Sequence, residues 1–378
     1  MKFGLYTALL LSLLVGCAPS PEKAFEKDIE EFRQDIGNVG MSVAVVKDNK
    51  LVYTHSFGLA DIENNIPLTD SHIFRIASIS KSFSATSMMQ LIENGMIDLS
   101  TEVQTLTSFP ISNPAYPETR ITLEMLLSHT SSLNDSEGYF SYDPLDPERN
   151  ENWRNAYNSY RPGEGYEYCN LNYNIVGGLI EKLSGERFDQ YIVHHILDPL
   201  GLYGGYCVDS LDISRFAKIY APDKDGNLEE STEAYEPRSE RIASYVPTED
   251  TPVFSPTGGM KISATDLARY MMMHMNYGTT PEGVRIMSEE LSRSMQTPRS
   301  SDENYGMALW VADDKVPGVT LVGHTGGAYG LRSAMFFDPE KKFGMVMISN
   351  GCSADPGDGP ESVINGTLTR LYQHFIKE

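Results

Sequence analysis

Basic side chains are scarce in this sequence of 378 residues. Asp and Glu number 52 against 30 for Lys and Arg, which gives a formal net charge of −22 at pH 7. Such a surface repels the phosphate backbone of nucleic acids, and no basic patch interrupts it. We therefore expect no binding to DNA or RNA.

Cysteine is rare as well. The chain contains four, at Cys17, Cys169, Cys207 and Cys352. Their spacing matches no zinc site, and the pair His194-His195 has no third ligand at a recognisable spacing, so we expect neither a metal nor a cofactor. Beyond Cys17 the number is odd, which leaves at least one free thiol. A disulfide such as Cys169 to Cys207 stays open at this point.

Long apolar runs are absent after the first 16 residues. No later stretch approaches the roughly 20 apolar residues that span a bilayer. At the amino terminus, Met1-Lys2 is followed by a mostly apolar run over residues 3–15. A charged start and about a dozen apolar residues are typical of an export signal and too short for a comfortable membrane span.

The end of this leader, Leu14-Val15-Gly16-Cys17, resembles a bacterial lipobox. The resemblance implies that residues 1–16 are removed, that Cys17 is lipidated and that residues 17–25 form a tether. The protein would then be an exported lipoprotein of the bacterial cell envelope, held on the periplasmic or surface side of a membrane by its lipid anchor. A plain signal peptide with an incidental Cys17 is the alternative.

The two ends of the chain are predicted to form strands, and its middle is predicted to be mostly helical. Strands are expected at residues 41–46, 51–57, 320–322, 333–337 and 343–349. Helices are expected at residues 26–36, 82–93, 122–128, 174–183, 188–196, 263–275 and 365–376. We therefore expect an α+β fold, an antiparallel β-sheet flanked by N- and C-terminal helices, with an inserted mostly helical domain. Residues 26–75 and 256–378 would form the sheet domain, and residues 76–255 the helical one.

Two long segments, residues 134–160 and 222–254, show no periodicity. Loops of this length in a compact enzyme are commonly functional or disordered. We expect them to form walls of a substrate cleft.

Ser78-Ile79-Ser80-Lys81 is the strongest local motif. A serine three residues before a lysine places a hydroxyl and an amine on one face of a helical turn, and the run over residues 82–93 predicts a buried helix that Ser78 would open. Unpaired N–H groups at a helix N-terminus favour a developing oxyanion. A second copy, Ser20-Pro21-Glu22-Lys23, lies in a polar stretch where we expect no helix, and Ser78 alone could equally be a helix cap.

Two further motifs follow in order. Tyr168-Cys169-Asn170 precedes an apolar helix, and His324-Thr325-Gly326-Gly327 follows a predicted strand. Ser-x-x-Lys, Tyr-x-Asn and a Lys/His-Thr-Gly strand together resemble the serine β-lactamase and penicillin-binding superfamily, closest to the branch of class C β-lactamases, D-alanyl-D-alanine carboxypeptidases and related esterases. Matching text extends this resemblance over roughly residues 27–375, at Phe74–Lys81, Leu126–Leu133, Arg161–Gly163, Gly258–Met260, Ser263–Asp266 and Gly323–Gly327.

The resemblance implies roles for these residues. Ser78 would be the nucleophile, Tyr168 the general base and Lys81 an electrostatic partner or shuttle, while the backbone N–H groups of Ser78 and Gly327 would form the oxyanion hole. Asn170 would bind an amide of the substrate. His324, Thr325 and Gly326 would complete the substrate-binding set. Because free Lys and Tyr both have a pKa near 10, the pKa of each must be tuned by burial or by a neighbouring cation.

Several residues leave alternatives open. Ser132-Leu133-Asn134 matches a Ser-x-Asn form of the middle motif, although Tyr168 is preferred. His129 is expected to be a buried structural histidine, and Arg332 could meet a substrate carboxylate or be a strand-surface charge. Two departures from the family pattern are notable: His324 stands where lactamases usually have Lys, and Ser132 where Gly is usual.

The resemblance implies a serine hydrolase with a small-molecule or peptide substrate. Its expected order of substrates is D-amino-acid-containing or peptidoglycan-like peptides first, small esters second and β-lactams third. A penicillin-binding sensor lipoprotein without turnover is the alternative from another functional class.

Overall fold

A computed structural model gives the structure of the protein and describes residues 20–248, 251–357, 359 and 362–377. The predicted leader and Cys17 lie outside these residues. Ten α-helices occur in the described chain: α1 Pro21–Asp35, α2 Ser80–Glu93, α3 Leu123–Leu127, α4 Asn170–Ser184, α5 Phe188–Ile192, α6 Asp198–Leu200, α7 Ser239–Ser244, α8 Ala264–Met275, α9 Glu289–Met295 and α10 Val363–Leu371. Single π-turns, Val193–Leu197 and Tyr372–Ile376, follow α5 and α10.

Twelve strands occur in the same described residues: β1 Gly40–Lys47, β2 Lys50–Asp61, β3 Ile66–Pro67, β4 Phe74–Arg75, β5 Gly204–Gly205, β6 Ile219–Pro222, β7 Leu228–Ser231, β8 Lys261–Ile262, β9 Trp310–Val316, β10 Val319–Ala328, β11 Leu331–Asp338 and β12 Phe343–Ser349. Seven form an antiparallel sheet in the order β3-β2-β1-β12-β11-β10-β9. Its strands come from both ends of the chain, as predicted, and the fold class is confirmed. The proposed domain boundaries stay a prediction.

Both faces of this sheet are covered, because alternate residues of each central strand enter different cores. In β12, Met345 and Met347 pack with α1 and α10, whereas Val346 and Ile348 face the core that contains α8. A sheet buried on both sides needs near-continuous apolar strands, which explains why β12 is buried along its whole length.

Helix α2 lies at the centre of the helical part and packs against α4. Its buried residues occur all around the helix, and it carries no charged side chain except Lys81 and Glu93. Such an all-round buried helix is held from several directions at once. The turn that precedes it is thereby fixed between the helices and the edge of strand β10.

Several predicted elements begin or divide differently in the structure. Helix α1 begins at Pro21 instead of residue 26, because Ser20 caps it, so the second Ser-x-x-Lys copy does open a helix and α1 includes residues 21–25 of the predicted tether. Ser78 lies in a 3-10 turn, Ala77–Ile79, and α2 begins at Ser80.

Two further differences concern α4 and a long segment that was predicted to lack regular structure. Helix α4 begins at Asn170 instead of residue 174, for a reason given below. The segment 222–254 contains strand β7 and helix α7 and is therefore not structureless.

Two observations address the remaining expectations about the whole chain. Cys169, Cys207 and Cys352 are all buried free thiols, so the disulfide left open above is absent from the structure. Among the described residues, no helix combines the length and the apolar character that crossing a bilayer requires.

Candidate active site

Ser78 is presented by a strained turn. The preceding residue, Ala77, has a φ of +45°, in the left-handed region that favours glycine. Non-glycine residues in this region cost of order 1–3 kcal/mol and persist where the surroundings hold them. Here the backbone N–H of Ile76 donates to the carbonyl of Met260, and the Ser80 hydroxyl accepts from the N–H of Met260. The turn is therefore fixed on both sides of the nucleophile.

Lys81 lies within reach of Ser78 and is fully buried. Its Nζ donates to Ser78 Oγ at 3.2 Å, to Asn170 Oδ1 at 2.8 Å and to the carbonyl of Thr257 at 3.0 Å. Burial lowers the pKa of Lys81 from about 10.5 to about 7, against the opposing charge of Asp135. A large share of these amines is therefore neutral at pH 7, which is the form that can accept a proton.

Asp135 organises this part of the site and was missed by the sequence reasoning. Its carboxylate accepts hydrogen bonds from the backbone N–H groups of Asn170 and Leu171 and from Asn170 Nδ2. Cys169, at the N-cap position of α4, provides no side-chain cap, so Asp135 supplies the cap from a distant loop. This explains why α4 begins at Asn170.

Asn170 has a different role in the structure from the one expected. Its Oδ1 accepts from Lys81 Nζ and from Thr257 Oγ1, and its Nδ2 donates to Asp135. It lines the cleft next to Ser78, but its carbonyl is occupied in positioning Lys81. The contact with a substrate amide stays a prediction.

Tyr168 stands beside the same pair. The Lys81 Nζ lies 4.7 Å from the centre of its ring, and the ring packs on His129 and, in parallel, on Trp310. Burial raises the pKa of Tyr168, which the nearby Ser78 hydroxyl opposes. The phenol is therefore protonated at neutral pH, and its Oη makes no hydrogen bond with the described residues.

Strands β10 and β11 close the other side of the nucleophile turn. Ser333 Oγ donates to the carbonyl of Ile76 at 2.9 Å, and a Cβ at Gly326 would overlap that carbonyl and the Ser333 hydroxyl. Gly326 is therefore required for close approach of the strand. The next residue, Gly327, lines the cleft together with Ser78, as the oxyanion-hole prediction requires.

His324 does not reach the cleft, although it was predicted to bind substrate. It is 1% exposed and lies in an aromatic group with Tyr305, Trp310 and Tyr168. Burial, aided by the charge of Lys81, lowers the pKa of His324 to about 3, so the imidazole is neutral. Thr325, the next residue, lines neighbouring surface pockets instead of the cleft.

The cleft has a volume of about 530 Å³. Its lining residues are Arg75, Ala77, Ser78, Tyr139, Phe140, Tyr168, Asn170, Ser255, Thr257, Gly258, Gly327, Ala328 and Tyr329. Tyr139 and Phe140 belong to the long segment 134–160 and confirm that it forms a wall. The described residues of 222–254 contribute none, so that part of the expectation was wrong.

The alternative motif and the other candidates lie elsewhere. Ser132 Oγ accepts from Asn113 and does not line the cleft, and Ser132 has a φ of +65°, which explains why glycine is usual at this position. His129 is buried, as expected, and its Nδ1 accepts from the N–H of Cys169. Arg332 pairs with Asp355 at 2.9 Å.

No cluster of three or more potential metal-ligating side chains occurs in the residues that the structure describes. The adjacent histidines His194 and His195 both hydrogen-bond to Glu186.

Two cleft residues had a signal in the sequence that was not used. Arg75 stands inside the Phe74–Lys81 text, and Thr257 stands directly before Gly258. Both lie next to quoted motifs, so their position was available although their orientation was not. Asp135 had no such signal, since its loop lacks any regular pattern.

Comparison with known proteins gives one family. A family model described as Beta-lactamase matches residues 25–362. Penicillin-binding protein 4 of Amycolatopsis lactamdurans is 25% identical over 379 residues, which cover 95% of this chain and 91% of that protein. The putative penicillin-binding protein PbpX of Bacillus subtilis (strain 168) is 29% identical over 291 residues, 75% of this chain and 65% of PbpX.

Solved structures share the fold. An octameric penicillin-binding protein homologue from Pyrococcus abyssi is similar with a TM-score of 0.74 and 25% identity, over 93% of this chain and 77% of that one. A D-amino acid amidase from Ochrobactrum anthropi SV3 is similar with a TM-score of 0.72 and 22% identity, over 94% of this chain and 98% of that one.

Proposed function

Because the chain belongs to the Beta-lactamase family of serine hydrolases, we propose that it cleaves an amide or ester through an acyl-enzyme on Ser78. The observation that carries this proposal is the contact of Ser78 Oγ with the fully buried Lys81 Nζ, 3.2 Å apart, at the wall of a cleft. A serine hydroxyl is a weak nucleophile until a base removes its proton. A lysine with a pKa of about 7 can serve as that base at neutral pH.

In the acylation step, neutral Lys81 accepts the proton of Ser78 Oγ as the oxygen bonds to the substrate carbonyl carbon. The carbonyl oxygen becomes an oxyanion, which the backbone N–H groups of Ser78 and Gly327 stabilise. The bond to the leaving group then breaks. Its departing nitrogen or oxygen takes a proton from the Tyr168 phenol, which is replenished from the Lys81 ammonium.

This order of proton transfers makes Lys81 the general base, whereas the family resemblance had given that role to Tyr168. The raised pKa of Tyr168 suits a proton donor, and its buried Oη lies close to Ser78 and is not committed to an acceptor in the described chain. In the second step a water attacks the Ser78 ester and releases the acid. Lys81 takes a proton from that water and returns it to Ser78 Oγ as the ester bond breaks.

For the substrate, we propose D-amino-acid-containing or peptidoglycan-like peptides first, because a relative that is aligned over 91% of its length is named a penicillin-binding protein. Small esters and β-lactams follow, since they share the mechanism and differ in leaving group. A sensor without turnover is the alternative, which the retained Ser78, Lys81 and Tyr168 argue against. We further propose envelope anchoring through lipidated Cys17, as the lipobox-like text implies.

A labelling experiment tests the nucleophile. We expect a fluorophosphonate and a fluorescent penicillin to label wild type, and Ser78→Ala to lose at least about 10³-fold in labelling rate. Ser20→Ala, from the other Ser-x-x-Lys copy, is the matched control and should label like wild type. Equal labelling of wild type and Ser78→Ala would refute the proposal.

A substrate panel then separates the activities. It comprises D-Ala-D-Ala peptides, p-nitrophenyl esters and a chromogenic cephalosporin. Steady product release supports a hydrolase, and a burst of acylation without turnover supports the sensor.

A further inference from the structure

We propose that Arg75 binds a carboxylate of the substrate and so selects anionic substrates for Ser78. This inference rests on the proposed function, since it names what the same cleft recognises. It departs from the sequence expectation, which gave the substrate-binding role on this side to His324.

Arg75 is the only charged side chain among the described residues that line the cleft. It is half-buried, on strand β4, three residues before the nucleophile. The whole chain carries a net charge of −22, so a cation facing this cavity is conspicuous against its surroundings. Low-dielectric walls strengthen the pull of such a charge on an anion.

The guanidinium is held in place but not saturated. Its Nε donates to the carbonyl of Gly258 at 2.7 Å, and its central carbon lies 4.9 Å from the centre of the Tyr329 ring. Gly258 also leaves it room, because a Cβ there would come within 3.2 Å of Arg75 Nη2.

The guanidinium also has a hydrogen-bonding contact with the Tyr329 phenol, and the described chain offers its two Nη groups no carboxylate acceptor. Of the five N–H donors of a guanidinium, the one on Nε is committed to the Gly258 carbonyl, which leaves Nη donors that can turn to a ligand. No carboxylate of the described residues forms a salt bridge with Arg75. Two Nη groups arranged as a fork match the two oxygens of a carboxylate.

The other basic groups near the site cannot take this role. The Lys81 ammonium is occupied by Ser78, Asn170 and Thr257. His324 is neutral and buried behind Tyr168. Arg332, the candidate suggested by the sequence, is paired with Asp355 and lines a different pocket.

The test compares matched substrates with and without a carboxylate. One pair places it in the acyl part, p-nitrophenyl hydrogen glutarate against p-nitrophenyl valerate. The other places it in the leaving group, a D-Ala-D-Ala peptide acid against its C-terminal amide. The readout is the ratio of kcat/KM for the charged and the neutral member of each pair, which cancels general damage to the site.

We expect Arg75→Gln to lower this ratio by about 10- to 100-fold for at least one pair, as loss of a charge-assisted hydrogen bond predicts, and Arg75→Lys to restore part of it. Arg332→Gln is the control and should keep the wild-type ratio. The pair that responds identifies the side of the scissile bond on which the carboxylate lies.

An unchanged ratio for both pairs in Arg75→Gln would overturn the inference, even if all rates fell together, because that result indicates a structural arginine. Failure of the proposed function looks different. In that case Ser78→Ala would retain hydrolysis of the neutral esters, whatever the response of the Arg75 variants.

Discussion

The chain carries the pattern Ser-x-x-Lys twice, and both copies stand at the start of a helix. In the copy near the amino terminus, Ser20 Oγ accepts a hydrogen bond from the backbone N–H of Lys23, and both residues are exposed. In the copy at the cleft, the side chain of Lys81 itself reaches Ser78 Oγ and is completely buried. The same spacing thus gives a helix cap in one place and a paired hydroxyl and amine in the other.

The surroundings make this difference. Lys81 has two further acceptors, Asn170 Oδ1 and the Thr257 carbonyl, and both come from segments distant in sequence. No such segment covers Lys23, which lies on the exposed face of α1. Helical spacing therefore brings the two groups together, while tertiary burial decides whether the amine can act as a base.

The largest effect should come from removing the two lysines in turn. We expect Lys81→Met to lower kcat/KM about 10³-fold, because the base is lost, and Lys23→Met to leave it within about twofold of wild type. In wild type, acylation should rise with pH and reach half its maximum near pH 7, where the Lys81 ammonium loses its proton. Stopped-flow acylation across pH 5–9, on the order of ten points, measures the profile.

The pH dependence of the unfolding free energy tests the lowered pKa of Lys81 independently of catalysis. The folded pKa of Lys81 is lowered to about 7 from about 10.5, so the folded protein binds fewer protons than the unfolded chain between these values. The unfolding free energy of wild type relative to Lys81→Met should therefore rise from pH 7 to pH 10. A flat difference over that range would contradict the burial argument.

A smaller effect is expected at Asp135, which raises the pKa of Lys81 by its charge. Asp135→Asn keeps a cap acceptor but removes the charge, so the midpoint of the acylation profile should move to lower pH by on the order of one unit. Asp146→Asn, in the same loop but paired with Arg149, is the control and should not move it. A shift to higher pH would show that Asp135 does not act on Lys81 through charge.

The smallest effect on stability is expected at Ser20, in the Ser-x-x-Lys copy near the amino terminus. Ser20→Ala removes one exposed, 3.4 Å cap hydrogen bond, and we expect a loss of about 0.5 kcal/mol in unfolding free energy with no change in kcat/KM. Chemical denaturation with the assay run in parallel measures both. A fall in activity would mean that the two copies are less independent than their positions indicate.

Much of the fold and of the candidate site could be predicted from the sequence, because the patterns that indicate them are local. The terminal strands follow from apolar runs, and Ser78, Lys81 and Tyr168 follow from short ordered motifs. The start of α4 could not be placed, since its cap, Asp135, lies 35 positions before Asn170 in an irregular loop.

The orientation of the site was also out of reach of the sequence. His324 belongs to the right motif, yet its ring packs behind Tyr168 instead of facing the cleft. Whether Arg75 or His324 faces the cleft depends on side-chain direction, and periodicity carries no information on it.

The left-handed conformation of Ala77 has a consequence for directed evolution of this protein. Glycine at this position would relieve the backbone strain, and a screen for heat resistance alone would select it where that relief exceeds the loss of the buried Ala77 methyl group. The same replacement makes the backbone before Ser78 more flexible, so the Ser78 hydroxyl is positioned less precisely. Variants selected for heat resistance are thus expected to lose turnover here, and a screen that couples heating to catalysis should keep alanine.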